Sequence, residues 1–196
     1  MLFRSKREDV NGGSKYGARV ALLIQPNESL SITPRVVYQK LQTDGYPRID
    51  VYNILGNPFT TTQQPVNPGE RGQVTQIPEG IDDEMTLADL TINWGLGGVT
   101  LTSVTSYTDR DVQVVRDASQ LTGSVSITFG SIFPQGNPIP ATPAEVRLNS
   151  PLIDTTQLKT FSQEVRLASD SGDAFEWLVG AFYQDIDREY GQNLPT

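Results

Sequence analysis

The feature that most constrains this chain is the alternation of its connections. Period-2 alternation of apolar and polar residues recurs in segments bounded by Gly, Pro, Asn and Asp, which reads as β-strand. Six strands are predicted, over about 16–25, 29–41, 84–95, 98–116, 157–169 and 174–189. Within pairs the connections are hairpin-sized: Pro26-Asn27-Glu28, then Leu96-Gly97 flanked by Gly95 and Gly98, then Asp170-Ser171-Gly172-Asp173. Between pairs lie the long segments 42–83 and 117–156, rich in Pro, Gly, Asn, Gln and Thr. Structureless connections of that length are uncommon in compact soluble domains. Short turns at one end and long loops at the other are the layout of outer-membrane barrels. The short turns are then expected on the periplasmic side and the two long loops on the extracellular side.

The strand faces sharpen this expectation. One face of the second strand reads Leu30, Ile32, Pro34, Val36, Tyr38, then Lys40. The fourth reads Val99, Leu101, Ser103, Thr105, Tyr107, then Asp109 and Asp111. The sixth reads Phe175, Trp177, Val179, Ala181, Tyr183, then Asp185, Asp187 and Glu189. Each starts at a short turn, reaches a Tyr after nine positions and then becomes charged. A tilted transmembrane strand needs about 9–11 residues, and Tyr suits the water boundary. Tyr38, Tyr107 and Tyr183 are therefore expected in a membrane girdle, with Trp94 and Trp177 at the short-turn boundary. Tyr16, Ala18, Val20, Leu22 and Ile24 form another apolar face, as do Ala88, Leu90, Ile92 and Trp94. The fifth strand fits less well, with Gln163 between Phe161 and Val165, and Pro34 implies an edge or a bulge.

Composition excludes several alternatives. The chain has no Cys and no His, so no disulfide, thiol nucleophile, zinc site or imidazole base can be built from it. A net charge of −8 argues against a nucleic-acid surface. No apolar run approaches a membrane helix, and the start, MLFRSKREDV, lacks the apolar core of a signal peptide. A missing natural N-terminus is the expectation.

Several segments resemble TonB-dependent outer-membrane receptors. Thr160-Phe161-Ser162-Gln163-Glu164-Val165-Arg166-Leu167-Ala168-Ser169, followed by Phe175-Glu176-Trp177-Leu178-Val179-Gly180-Ala181-Phe182-Tyr183, is similar to a hairpin recurrent in that family. Leu101-Thr102-Ser103-Val104-Thr105-Ser106-Tyr107 resembles the strand that commonly precedes it. Tyr16-Gly17-Ala18-Arg19 and Leu30-Ser31-Ile32-Thr33-Pro34 resemble an earlier hairpin. The resemblance implies an all-β fold, an antiparallel meander of about six transmembrane strands within a barrel of about 22. It also implies energy-coupled uptake of a scarce nutrient across the outer membrane of a Gram-negative bacterium, a ferric siderophore first among the candidates. The implied partners are outer-membrane lipid and lipopolysaccharide, the receptor's own plug domain, the TonB energy complex and a small nutrient ligand. Residues 1–196 contain no plug and no TonB box, and six strands are too few to close a membrane barrel. The whole chain is therefore expected to be part of one barrel domain, with hairpins over about 16–41, 84–116 and 157–189.

Candidate chemistry is limited, and no enzyme activity, cofactor or metal is expected. Tyr46, Arg48, Tyr52, Arg110 and Arg116 mix aromatic rings and guanidiniums above the strands, which suits anionic or catecholate cargo. The competing reading pairs Arg110 and Arg116 with Asp109, Asp111 and Asp117. Asp82-Asp83-Glu84 could hold Ca²⁺ but fits better as a solvated loop end. Arg35, Gln39 and Glu164 are expected to line the barrel interior. Asp185, Asp187 and Glu189 read as a charged strand extension, not hydrolytic acids. The alternative function is a soluble or surface-attached β-sandwich serving as an adhesive or carbohydrate-binding module. It requires the apolar faces to pack together in a dry core.

Overall fold

The computed structural model describes residues 8–47, 72, 73, 75, 77–119, 149–169, 172 and 175–195. They form one antiparallel sheet of seven strands and no helix. The strands are β1 (Gly13–Ala21), β2 (Ile24–Asn27), β3 (Leu30–Thr43), β4 (Gly80–Gly95), β5 (Val99–Asp117), β6 (Pro151–Ser169) and β7 (Leu178–Asn193). Their order is β1-β3-β4-β5-β6-β7, with β2 also paired to β3, so from β2 onward consecutive strands are neighbours. The sheet is open, with β1 and β7 at its edges. No helix among the described residues is long and apolar enough to cross a membrane.

The expected first strand is divided, and Pro34 explains why. In an antiparallel pair a residue directs both its N–H and its C=O to the same neighbour. Leu22 N–H donates to the Pro34 carbonyl at 3.1 Å, so Pro34 faces β1 and β2 and has no N–H to return. The ladder lapses between Ala21 and Ile24 and resumes in the same register, Ile24 opposite Ile32. On its other side Pro34 pairs with Leu90 in an uninterrupted ladder. A register shift follows between Ile24 and Asn27, at the turn.

The second turn is centred one residue later than expected. Leu96 N–H donates to the Val99 carbonyl at 2.8 Å, leaving Gly97 and Gly98 as the central residues with φ of +75° and +88°. Positive φ at both positions is the type I′ turn that matches strand twist. The third turn closes later than expected, so Phe175 and Trp177 precede β7 instead of lying in it. Trp177 nevertheless continues the register, its carbonyl accepting from Ser169 N–H at 2.9 Å.

The sheet also runs further toward the long connections than the apolar pattern suggested, starting at Gly80 in β4 and Pro151 in β6 and reaching Asn193 in β7. Cross-strand polar pairs carry it there. Lys40 bonds Glu84 at 3.1 Å, and Gln42 bonds Asp82 at 2.7 Å.

Residues directly opposite one another on neighbouring strands share a face. Following the pairs gives one row of Leu30, Trp94, Leu101, Leu167 and Val179, and another of Val20, Val36, Ala88, Tyr107, Phe161 and Asp185. All the predicted apolar faces therefore lie on the same side of one sheet. Nothing covers them: Ala118 is the one buried apolar side chain among the described residues, and Val20, Val36, Val179 and Tyr183 are 50–70% exposed. The dry core of a sandwich is absent from the described residues.

The apolar band ends along a diagonal. From the short turns upward, the first charged residue on this face is Lys40 in β3, Glu84 in β4, Asp109 in β5, Lys159 in β6 and Asp185 in β7. Lys40 and Glu84 share a row, Asp109 and Lys159 lie two residues lower, and Asp185 lies two lower again. The aromatic boundary descends in the same direction through Tyr16, Tyr38, Tyr107, Phe161 and Tyr183. Its members touch diagonally, Tyr16 to Tyr38 and Phe161 to Tyr183, each pair with ring centroids 6.4 Å apart. Gln163, inside the band, is satisfied: its amide accepts from Thr105 Oγ1 at 2.6 Å and donates to Ser103 Oγ at 3.0 Å.

Replacing Gly98 with Ala places a Cβ in open space, so the change costs only backbone strain, about 1–2 kcal/mol. Equilibrium unfolding in detergent micelles measures it, and unchanged stability would contradict the type I′ assignment.

Candidate functional site

The opposite face of the sheet is mostly polar near the short turns from β3 to β6, whereas β7 sets Leu178, Phe182 and Ile186 there, each more than half exposed. Ser31, Thr33, Arg35, Asn93, Thr91, Asp89, Thr102, Ser106, Arg166, Glu164 and Ser162 lie there, because each sits one residue out of phase with the apolar band. Their side chains bond one another. Arg35 Nε donates to Asp89 at 2.6 Å, Thr102 Oγ1 to Asn93 at 2.9 Å, and Ser106 meets Ser162 at 2.7 Å. Arg166 pairs with Glu164 at 3.0 Å. Arg35, Gln39 and Glu164 thus share this polar face.

Beyond the diagonal boundary the character of the faces inverts. The formerly apolar face carries acids, while the polar face gains Leu41, Met85, Val112 and Leu158. Among these sits Arg110, whose Nε and Nη2 donate to the two carboxylate oxygens of Asp83 at 2.8 and 2.6 Å. This bidentate geometry is the strong form of the pair. The Asp83 side chain is 13% exposed. The hydrogen bonds from Arg110 outweigh burial and hold the Asp83 carboxyl below its ordinary range.

Asp82-Asp83-Glu84 is consequently not a loop-end cluster. It lies inside β4, where alternation sends Asp82 and Glu84 toward Lys40 and Gln42 and sends Asp83 to the other face. Among the described residues no group of three or more such ligands could hold a metal ion.

A second network forms at the top of β5, β6 and β7. Arg116 pairs with Asp154 on the neighbouring strand. Asp154 also accepts from Tyr190 Oη at 2.8 Å and from Gln192 Nε2 at 2.7 Å. Burial would raise its carboxyl, but the bonds from Gln192, Tyr190 and Arg116 prevail and keep it low. The Tyr46 ring, just after β3, lies 5.7 Å from the Arg116 guanidinium carbon in a cation–π contact. Behind the network, Glu79 accepts from Asp117 N–H at 2.7 Å, and Ser150 N–H donates to Ser119 Oγ at 3.0 Å. Ser119 and Ser150 are almost wholly buried.

Of the five candidate cargo residues, the structure brings Tyr46 and Arg116 together and sets Arg110 on the same face six residues lower along β5. Arg48 and Tyr52 lie outside the described residues. Both arginines are neutralised, as the competing reading anticipated, but by Asp83 and Asp154 across the strands and not by Asp109, Asp111 or Asp117 along them. Asp154, Tyr190 and Gln192 were not singled out from sequence. Their parity along β6 and β7 was available, but their proximity to Arg116 depends on a register fixed only by the folded sheet. The five residues expected in a girdle lie at the ends of the apolar band, Trp94 and Trp177 toward the short turns and Tyr38, Tyr107 and Tyr183 at the diagonal.

No protein-family model matches the chain, and no curated protein matches it either.

Asp83 and Asp154 have folded pKa values below their unfolded ones, so the stability they add is fully present above the unfolded carboxyl pKa of about 3.9. It is lost as pH falls through the depressed folded values. Unfolding midpoints should be flat above roughly pH 5 and fall below about pH 4. Asp83→Asn should remove part of that acid-dependent loss, and an unaltered pH profile in the variant would contradict this assignment.

Proposed function

We propose that this chain is barrel wall from an energy-coupled outer-membrane receptor that takes up a scarce nutrient. The observation that carries the membrane part of the reading is the diagonal boundary. The charged boundary falls four residues across four strand-to-strand steps. At about 3.4 Å per residue and 4.8 Å per step, that is a slope of roughly 35°. The aromatic boundary falls six residues over five steps, from Tyr16 to Tyr183, or roughly 40°. A flat water–lipid boundary crosses a sheet diagonally only if the strands tilt against it by that angle. Outer-membrane barrel strands tilt by about 35–45°. Nine residues from Val99 to Tyr107 span about 27 Å along the strand and roughly 22 Å along the membrane normal at this tilt, close to the band of about 25 Å that barrels present to lipid. A soluble sheet has no reason to end its apolar face on a straight diagonal.

The opposite face supports an aqueous interior. Its Ser, Thr and paired charges would line a hydrated lumen, where a plug domain could contact Arg35 and Asp89. The open edges at β1 and β7 would be met by further strands of the same barrel, since unpaired backbone groups in lipid each cost several kcal/mol. The uptake function, the coupling to a TonB complex and a ferric siderophore as cargo rest on the resemblance of the three hairpins to TonB-dependent receptors. Tyr46, Arg110 and Arg116 would face the cargo side of the wall. With both guanidiniums matched by carboxylates, net positive charge is not what this part of the wall offers a ligand.

Leu90 and Thr91 test the sidedness directly. Leu90→Arg should destabilise the protein in lipid vesicles by about 2–4 kcal/mol, the cost of a cation near the bilayer midplane. Thr91→Arg, on the opposite face, should cost far less. Equal costs in a urea titration would contradict the reading.

A further inference from the structure

Just above the diagonal boundary, on the face that is apolar lower down, the sheet carries an open recess of about 570 Å³. Its floor is a single hydrogen-bonded row across four strands: Ser14, Gln42, Asp82 and Gln113. Asp44, Pro78, Glu79 and Val115 rise around it. At its rim a Cβ on Gly13 or Gly80 would come within 2.7 Å of the β3 backbone carbonyls of Gln42 and Thr43, so glycine at these positions lets the strand ends approach β3 closely. Two residues below Ser14 on the same face is Tyr16, with half its surface exposed.

Position and chemistry identify what fits. The recess is on the outward side of the wall, one row beyond Lys40 and Glu84, the last row before water. On the membrane reading, which this inference rests on, that is the level of lipid head groups in the same leaflet. The lining offers an amide pair, a hydroxyl and carboxylates, but no cation. Lys40 below is held by Glu84 at 3.1 Å and Asp82 at 3.4 Å. An anion would be repelled. Hydroxyl groups, which donate to carboxylates and accept from amide N–H, are satisfied by this mixture, and an exposed Tyr beside it suits the flat face of a pyranose.

We infer that the recess bounded by Ser14, Gln42, Asp82 and Gln113 seats a neutral sugar ring of a glycolipid head group standing in the adjoining leaflet. The acyl chains of that lipid would lie against the apolar band beneath, and the sugar would dock where the band ends.

The test uses the protein expressed from its complete reading frame, purified in LDAO, a detergent without sugar. The probes are rough-type lipopolysaccharide, the same lipopolysaccharide after removal of its acyl chains, and phosphatidylglycerol micelles. Retention of fluorescently labelled lipopolysaccharide should fall about five- to tenfold in Gln42→Leu and again in Gln113→Leu, as expected for lost hydrogen bonds to hydroxyls. Gln113→Leu should keep the wild-type urea midpoint, which guards against a loss in Gln42→Leu that comes only from its broken bond to Asp82. Phosphatidylglycerol should not compete. Equal retention in both variants would overturn the inference, as would loss of retention on chelation of divalent cations alone, which would point to bridged phosphates. Binding of the deacylated oligosaccharide as tight as that of the intact glycolipid would overturn the lipid source and leave a soluble-glycan site. Shielding of the apolar band from an aqueous quencher is recorded on the same samples. If the band is shielded and retention is unaffected by the variants, the sugar site alone fails; if the band is open to water, the membrane reading fails with it.

Discussion

A single β-layer with one continuous apolar face has to be covered by something, and no element among the described residues covers it. Every other feature follows from that constraint. Alternation along β3, β4, β5, β6 and β7 delivers Leu, Ile, Val and Ala to one side because the strands share a register in which all five patterns are in phase. A slip of one residue in β3, β4, β5 or β6 would turn that strand over and put the polar and charged residues of its other face into the band. The band tolerates polar groups only where they close on themselves, as Gln163 does with Ser103 and Thr105. On the reading proposed above, lipid would be that covering, matching a face about nine residues tall with aromatic ends and a slanted limit.

Charge takes over where apolar burial stops. Beyond the diagonal, ladders continue on cross-strand pairs: Lys40 with Glu84, Arg110 with Asp83, Arg116 with Asp154. The exposed pair contributes modestly. Arg110–Asp83 is worth more, because Asp83 is largely shielded and both carboxylate oxygens are engaged. Acids outnumber bases overall, 23 to 15, and the surplus gathers on the outward face above the band, in Asp109, Asp111, Asp185, Asp187 and Glu189. A surface of that sign repels phosphates.

The strand pattern and its faces were legible in the sequence because period-2 alternation is written in each strand separately. Val99 to Tyr107 and Leu30 to Tyr38 could be read without knowing what pairs with them. What alternation could not convey was anything set by pairing. The division of the first strand at Ala21 comes from Pro34, thirteen residues away. The strand extensions to Gly80, Pro151 and Asn193 carry no clear period-2 alternation, with Ile81, Leu152 and Ile153 set among Asp, Thr and Gln, and are held by partners on other strands, so they looked like loop. Asp82-Asp83-Glu84 looked like a cluster for the same reason. The slant of the boundary was also hidden. β3, β5, β6 and β7 taken singly each show an aromatic residue followed by charge, and only the register shows that these points lie on a line.

That line is the central claim, and the chain is suited to testing it because it contains no native cysteine. Single cysteines would carry nitroxide labels in lipid vesicles, with depth read from collision with oxygen against an aqueous nickel complex. One set is Y38C, Y107C and Y183C, which lie on the diagonal. The other is V36C, Y107C and D185C, which lie in one hydrogen-bonded row. The account predicts a common depth for the diagonal set and a steady passage from lipid to water along the row. A common depth for the row, or free access of nickel to V36C, would contradict it.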